Sequence, residues 1–111
     1  MGDEIRKYLF DISESINSIH DYLGKNRDFN AYLNNKLLRR AVEREFEIIG
    51  EAINNIIRID KNIEIENARR IVDFRNRIIH GYDSVDNVIV WGIISIDLPE
   101  LKTEVDKLLK E

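Results

Sequence analysis

The chain of 111 residues contains no cysteine. That excludes disulfides, thiolate zinc sites and cysteine nucleophiles together, and it fits a reducing compartment. There is one proline, and the five glycines stand isolated from one another. So little turn chemistry disfavours an all-β architecture, and no glycine-rich phosphate loop can be drawn. No uninterrupted apolar run approaches the ~18 residues of a membrane span. The opening MGDEIRKYLF places acids before its apolar residues and lacks a small-residue cleavage site, so it does not read as a signal peptide. Only two histidines occur, His20 and His80, and neither has metal-ligand spacing around it. No metal and no other cofactor is expected, and the expected location is cytoplasmic.

What is present describes a folded, helical chain. With 43% apolar and 34% charged residues, disorder is disfavoured. The length fits a single domain over 1–111. Ile5, Leu9, Ile12, Ile16, Ile19 and Leu23 recur at three- and four-residue steps, which predicts a helix over 3–23 stopped by Gly24. After a polar connector in which Asp28 or Asn30 can cap, residues 31–58 read as one long helix with Leu38, Ala41, Val42, Ile49, Ala52, Ile53 and Ile56 inward. Gly50 lies inside it. A mid-helix glycine costs about 1 kcal/mol relative to alanine, so close packing is expected there. IDKNIEIEN breaks the period and reads as a loop. A third helix spans 66–80 and stops at Gly81. Residues 86–97 form a fourth, apolar nearly all round and therefore expected to be deeply buried. A last helix starts near Pro99 and runs to Leu109. The fold class is all-α: an antiparallel four-helix bundle with a short extra C-terminal helix.

The net charge of −4 argues weakly against a general nucleic-acid binder. Its distribution says more. Residues 36–44 carry four bases and one acid, and residues 66–82 carry four bases and two acids, on an otherwise acidic chain. Local positive charge points to a defined anionic ligand. Helix-surface salt bridges are the plainer alternative.

The informative stretch runs from Arg69 to Tyr82. On a helix Asn76 and His80 share a face, and Asp73 and Arg69 continue that polar line. Arg75 and His80 are five apart and point about 140° away from each other on an ideal helix. They converge only if the last turn unwinds at Gly81, or across a dimer axis. An imidazole moves protons near neutral pH, and a guanidinium binds phosphate and stabilises the charge developing on it. The pairing suits phosphodiester chemistry. A helix-end histidine meeting the last carbonyls is the structural alternative.

Arg75-Asn76-Arg77-Ile78-Ile79-His80-Gly81-Tyr82 resembles the R-x4-H-x-Y signature of HepT-like proteins of the HEPN superfamily. Ile48-Ile49-Gly50-Glu51-Ala52 is similar to that family's IGEA element. Val90-Trp91 and Asp97-Leu98-Pro99-Glu100-Leu101 are similar to its VW…DLPEL ending. Order, spacing and length fit over essentially the whole chain. The resemblance implies a HEPN-like helical bundle that forms a homodimer. It implies a metal-independent ribonuclease, the toxin of a type VII-like toxin–antitoxin pair. The partner would be a minimal nucleotidyltransferase that neutralises the toxin by transferring AMP to the motif tyrosine. On this resemblance Arg75 and His80 are the catalytic pair, Tyr82 is the modification site and Asn76 is a supporting polar group.

Other residues carry weaker expectations. Glu51 sits where helices should approach closely and would orient Arg75 or another guanidinium. Arg69, Arg70, Arg77, Arg40 and Arg44 are candidate RNA contacts. Glu43 and Glu47 repel mildly at i, i+4, and Arg40 and Arg44 relieve this. Trp91 reads as core or dimer interface, and His20 as a surface histidine beside Asp21. Two functions of different class follow: an endoribonuclease, or a non-catalytic module that binds a nucleotidyltransferase or a nucleotide with the same cationic groove.

Overall fold

The computed structural model describes residues 1–79 and 86–111, with side chains described everywhere in them except at 77–79. The first helix, α1, spans Asp3–Leu23 and buries Ile5, Leu9, Ile12, Ile16 and Ile19, the stripe its period predicts. Gly24 ends it at φ 70°, a left-handed conformation that glycine adopts without penalty, and donates its N–H to the carbonyl of His20.

The long helix expected over 31–58 is two helices. Asp28 caps α2 (Phe29–Leu33), its carboxylate accepting from the backbone of Asn30 at 2.8 Å and of Ala31 at 3.4 Å. The chain then breaks at Asn34 and Asn35. Asn35 caps α3 (Lys36–Ile59) by accepting from the N–H of Leu38 at 3.0 Å. An asparagine side chain here replaces a turn of backbone bonding, and the new helix leaves in its own direction. α3 buries Val42, Phe46, Ile49, Ala52, Ile53 and Ile56.

The loop expected after it is present. A 3₁₀ turn, Glu66–Ala68, leads into α4 (Arg69–Ile79), which therefore starts three residues later than its period predicts. Asp86 caps α5 (Asn87–Gly92). A π turn, Ile93–Asp97, joins α5 to α6 (Leu98–Leu109) without a break, so the two read as one rod. The expected deep burial of this segment is corrected. Val90, Ile93 and Ile94 are buried, but Val88 is 68% and Ile96 58% exposed. A bundle of this size covers only one side of the rod.

α1 lies at the centre, against α3 on one side and α6 on the other. The α1–α6 seam carries polar ties. Lys102 donates to the Ser13 hydroxyl at 2.8 Å and pairs with Asp106 at 2.9 Å, and Arg6 donates to the carbonyl of Leu109 at 2.7 Å. α1 and α6 run antiparallel, since Arg6 meets Leu109 while Ser13, farther along α1, meets Lys102. No helix among the described residues is long and apolar enough to cross a membrane.

Candidate active site

α4 carries the signature arginine, and it is held at three places. At its start, the Glu104 carboxylate of α6 accepts from the backbone of Glu66 at 2.9 Å and of Asn67 at 3.2 Å, satisfying donors that a helix start leaves open. In its middle, Phe74 meets Phe46 of α3 edge-on, with ring centroids 5.6 Å apart. On its flank, Arg70 pairs with Asp97 of the π turn at 3.1 Å. Sequence reasoning did not single out Glu104 or Phe46. Glu104 gives no local signal, because its partners are 37 and 38 residues away.

Arg75 is half-buried. Its stem lies across Gly50, where a Cβ would stand 2.7 Å from Arg75 Cγ and 2.8 Å from its Cβ. The close packing expected at Gly50 is therefore real, and its partner is the signature arginine. Arg75 Nη1 donates to Asn76 Oδ1 at 3.1 Å. Its Nε is buried and has no hydrogen-bond partner among the described residues. The bond to Asn76 matters for the expected 140° offset. It ties the guanidinium to Asn76, an exposed residue that the spacing of a continuous helix groups with His80. His80 and Tyr82 lie outside the described residues, as does the side chain of Arg77.

The other candidate cations divide. Arg70 is spent on Asp97, and its guanidinium passes 3.6 Å from where a Cβ on Gly92 would be. Beside it, Arg70, Asp73, Phe74 and Ile89 line a cleft of about 200 Å³. Arg69 lines a second, mostly apolar cleft with Ile53, Ile57, Ile65 and Val72. Arg40 and Arg44 pair with Glu43 and Glu47 at 3.5 and 3.0 Å, as the charge spacing predicts. Glu43 is buried, and desolvation pushes its pKa above the usual carboxylate value, against the pull of Arg40 and Arg39. The neighbouring Tyr32 hydroxyl and Arg39 Nε are buried without hydrogen-bond partners among the described residues, and burial raises the tyrosine pKa as well.

Glu51 does not face Arg75. It lines a cleft of about 290 Å³ between α1 and α3 with Lys7, Tyr8, Asp11, Ile48, Ala52 and Asn55. The residue that meets Arg75 is its neighbour Gly50, about 100° round the helix. His20 is half-buried rather than on the open surface. It contacts Arg27, and burial first, then that guanidinium, lowers its pKa. Trp91 packs against Phe29 and Tyr32 of α2, at 5.7 and 5.4 Å between centroids, in agreement with a packing role. No group of three or more His, Asp or Glu side chains that could hold a metal occurs among the described residues.

The described residues form an all-helical bundle of the HEPN-like kind, with the signature arginine packed across Gly50. The description "Ribonuclease HepT-like" matches this chain over residues 12–108. The chain belongs to that family. It is 37% identical over 105 residues to a Methanocaldococcus jannaschii protein described as a "putative RNase", covering 93% of this chain and 94% of the other. It is 36% identical over 106 residues to a "probable ribonuclease HepT" of Thermococcus cleftensis, covering 95% and 96%. A further Methanocaldococcus jannaschii protein, described as a "gamma-glutamylcyclotransferase and putative RNase", is 32% identical over 112 residues, which is half of its length. No solved structure matches the chain.

Proposed function

We propose that the protein is a metal-independent endoribonuclease in which Arg75 stabilises the charge developing on the phosphate and His80 transfers the proton. The RNA 2′-hydroxyl would attack the adjacent phosphorus, displacing the 5′-oxygen and leaving a 2′,3′-cyclic phosphate. One observation carries this reading. The Arg75 guanidinium is hydrogen-bonded to exposed Asn76, the residue four before His80 in the sequence. The test is incubation of pure protein with RNA in excess chelator, beside a His80→Ala control. Cleavage by wild type alone supports the reading. Cleavage that needs added magnesium, or that survives in the control, overturns it.

The protein is proposed to act as a homodimer. Supporting this, Val88 and Ile96 expose apolar side chains on the α5–α6 rod, and Leu37 at the start of α3 is 81% exposed. Sedimentation should show a dimer at micromolar concentration, and a monomer throughout that range removes convergence of Arg75 and His80 across a dimer axis. The protein is further proposed to be the toxin of a toxin–antitoxin pair, neutralised when a partner nucleotidyltransferase transfers AMP to Tyr82. Two residues past His80, an added phosphate would compete for the cations that hold the substrate. Tyr82→Phe keeps the ring and loses the acceptor. That variant should keep at least part of its ribonuclease activity and resist neutralisation on co-expression. An unchanged adenylyl adduct on the variant, seen by mass spectrometry, places the acceptor elsewhere.

A further inference from the structure

We propose that Gly50 is a positioning residue for Arg75: the missing side chain at 50 is the seat that holds the arginine stem and so sets where its guanidinium stands. This rests on the reading of Arg75 as the phosphate-binding group.

Three observations carry it. A Cβ on Gly50 would lie 2.7 Å from Arg75 Cγ, 2.8 Å from Cβ and 3.1 Å from Cδ. Contact with three successive carbons means the arginine lies lengthwise over the α3 backbone. The far end of a long side chain can swing clear of a new methyl group. Arg75 Cβ cannot, because it moves only with the α4 backbone. Any side chain at 50 must therefore displace α4 or twist the stem off its rotamer.

Next, little else fixes the guanidinium. Among the described residues its one hydrogen bond is to Asn76, its own neighbour in sequence, and Nε has none. The stem's contact with α3 is what relates the group to the rest of the bundle. Finally, the backbone gives no other reason for glycine. Among the described residues only Gly24 has a positive φ. Position 50 is ordinary helix inside α3, where alanine is intrinsically preferred. The space, and not the conformational freedom, is what the glycine supplies.

The experiment is a cycle of four full-length proteins: wild type, Gly50→Ala, Arg75→Ala and the double variant. Each is followed by thermal melting and by steady-state RNA cleavage. Gly50→Ala should keep its helical circular dichroism and lose kcat by about a hundredfold, the scale of an ångström's misplacement, with KM little changed. Its melting temperature should fall in the wild-type background. In the Arg75→Ala background the same substitution should lower it by clearly less, because the contacts with Cγ and Cδ have gone while the contact with Cβ remains. A glycine that packs only on the α4 backbone would lower stability by the same amount in both backgrounds. Equal melting shifts in the two backgrounds overturn the contact. Wild-type kcat in Gly50→Ala, with Arg75→Ala inactive, overturns the positioning role alone. Full activity in Arg75→Ala removes the catalytic reading and the positioning role with it, and unequal melting shifts would then show that the contact stands and the catalytic premise failed.

Discussion

Arg75→Ala will cleave RNA roughly a hundred- to a thousandfold more slowly than wild type, the usual loss when one preorganised charge-stabilising donor is removed. The fold should persist. Arg75 is only half-buried, and the α4 residues that anchor the core are Ile71 and Phe74. Stability should therefore move by no more than about 1 kcal/mol. Arg75→Lys should not restore full activity. Lysine offers a point charge without the planar fork that grips two phosphate oxygens. It also has no second nitrogen to keep on Asn76 while another reaches substrate. Cleavage rates of the three proteins on one RNA, without added metal, decide the matter. A wild-type rate for Arg75→Ala sinks the assignment.

Phe46→Ala should be the most damaging core substitution near the site, destabilising the protein by about 3–5 kcal/mol. The ring is fully buried and meets Phe74 edge-on. Removing it leaves a void between α3 and α4 that rigid helices close poorly. Against a total of roughly 5–15 kcal/mol for a domain of this kind, the loss is a large fraction. Denaturant unfolding should show a lower midpoint with an unchanged slope. Glu14→Ala, at an exposed position on α1, is the control and should stay within about 0.5 kcal/mol of wild type. A midpoint for Phe46→Ala as close to wild type as the control would mean that α4 is not anchored where the structure places it.

The helix faces were legible because burial follows period. α1 begins, ends and buries as Ile5 to Leu23 and Gly24 predict. The break between α2 and α3 was not, because the apolar stripe continues across it and Asn34-Asn35 looks like ordinary helix surface until Asn35 accepts from Leu38. The burial of residues 86–97 was overestimated from apolarity alone. Val88 and Ile96 show that apolar composition says a side chain can be covered, not that this chain covers it. At the candidate site, the signature and the tight spot at Gly50 were both visible as separate signals. Their contact was not, since residues 25 apart share no local pattern. The angular offset between Arg75 and His80 treated side chains as short spokes. An arginine is long enough for its guanidinium to stand away from its own Cα direction, and here it meets the side chain of the next residue, Asn76.

The pairing of α1 with α6 bears on how the chain reaches its fold. Arg6 grips the carbonyl of Leu109, and Ser13, Lys102 and Asp106 tie the same seam. Nearly the whole polypeptide must loop round before those contacts exist. A bundle built only from sequential hairpins gains its contacts locally and folds fast. This one carries its first helix at the centre and its last helix against it, so its relative contact order is raised by contacts more than 90 residues apart. Closing so long a loop costs entropy that no local helix formation repays. α6, the last helix in the sequence, also carries the Glu104 that fixes the start of α4. The arginine-bearing helix therefore gains its final anchor only when the C-terminal helix has arrived.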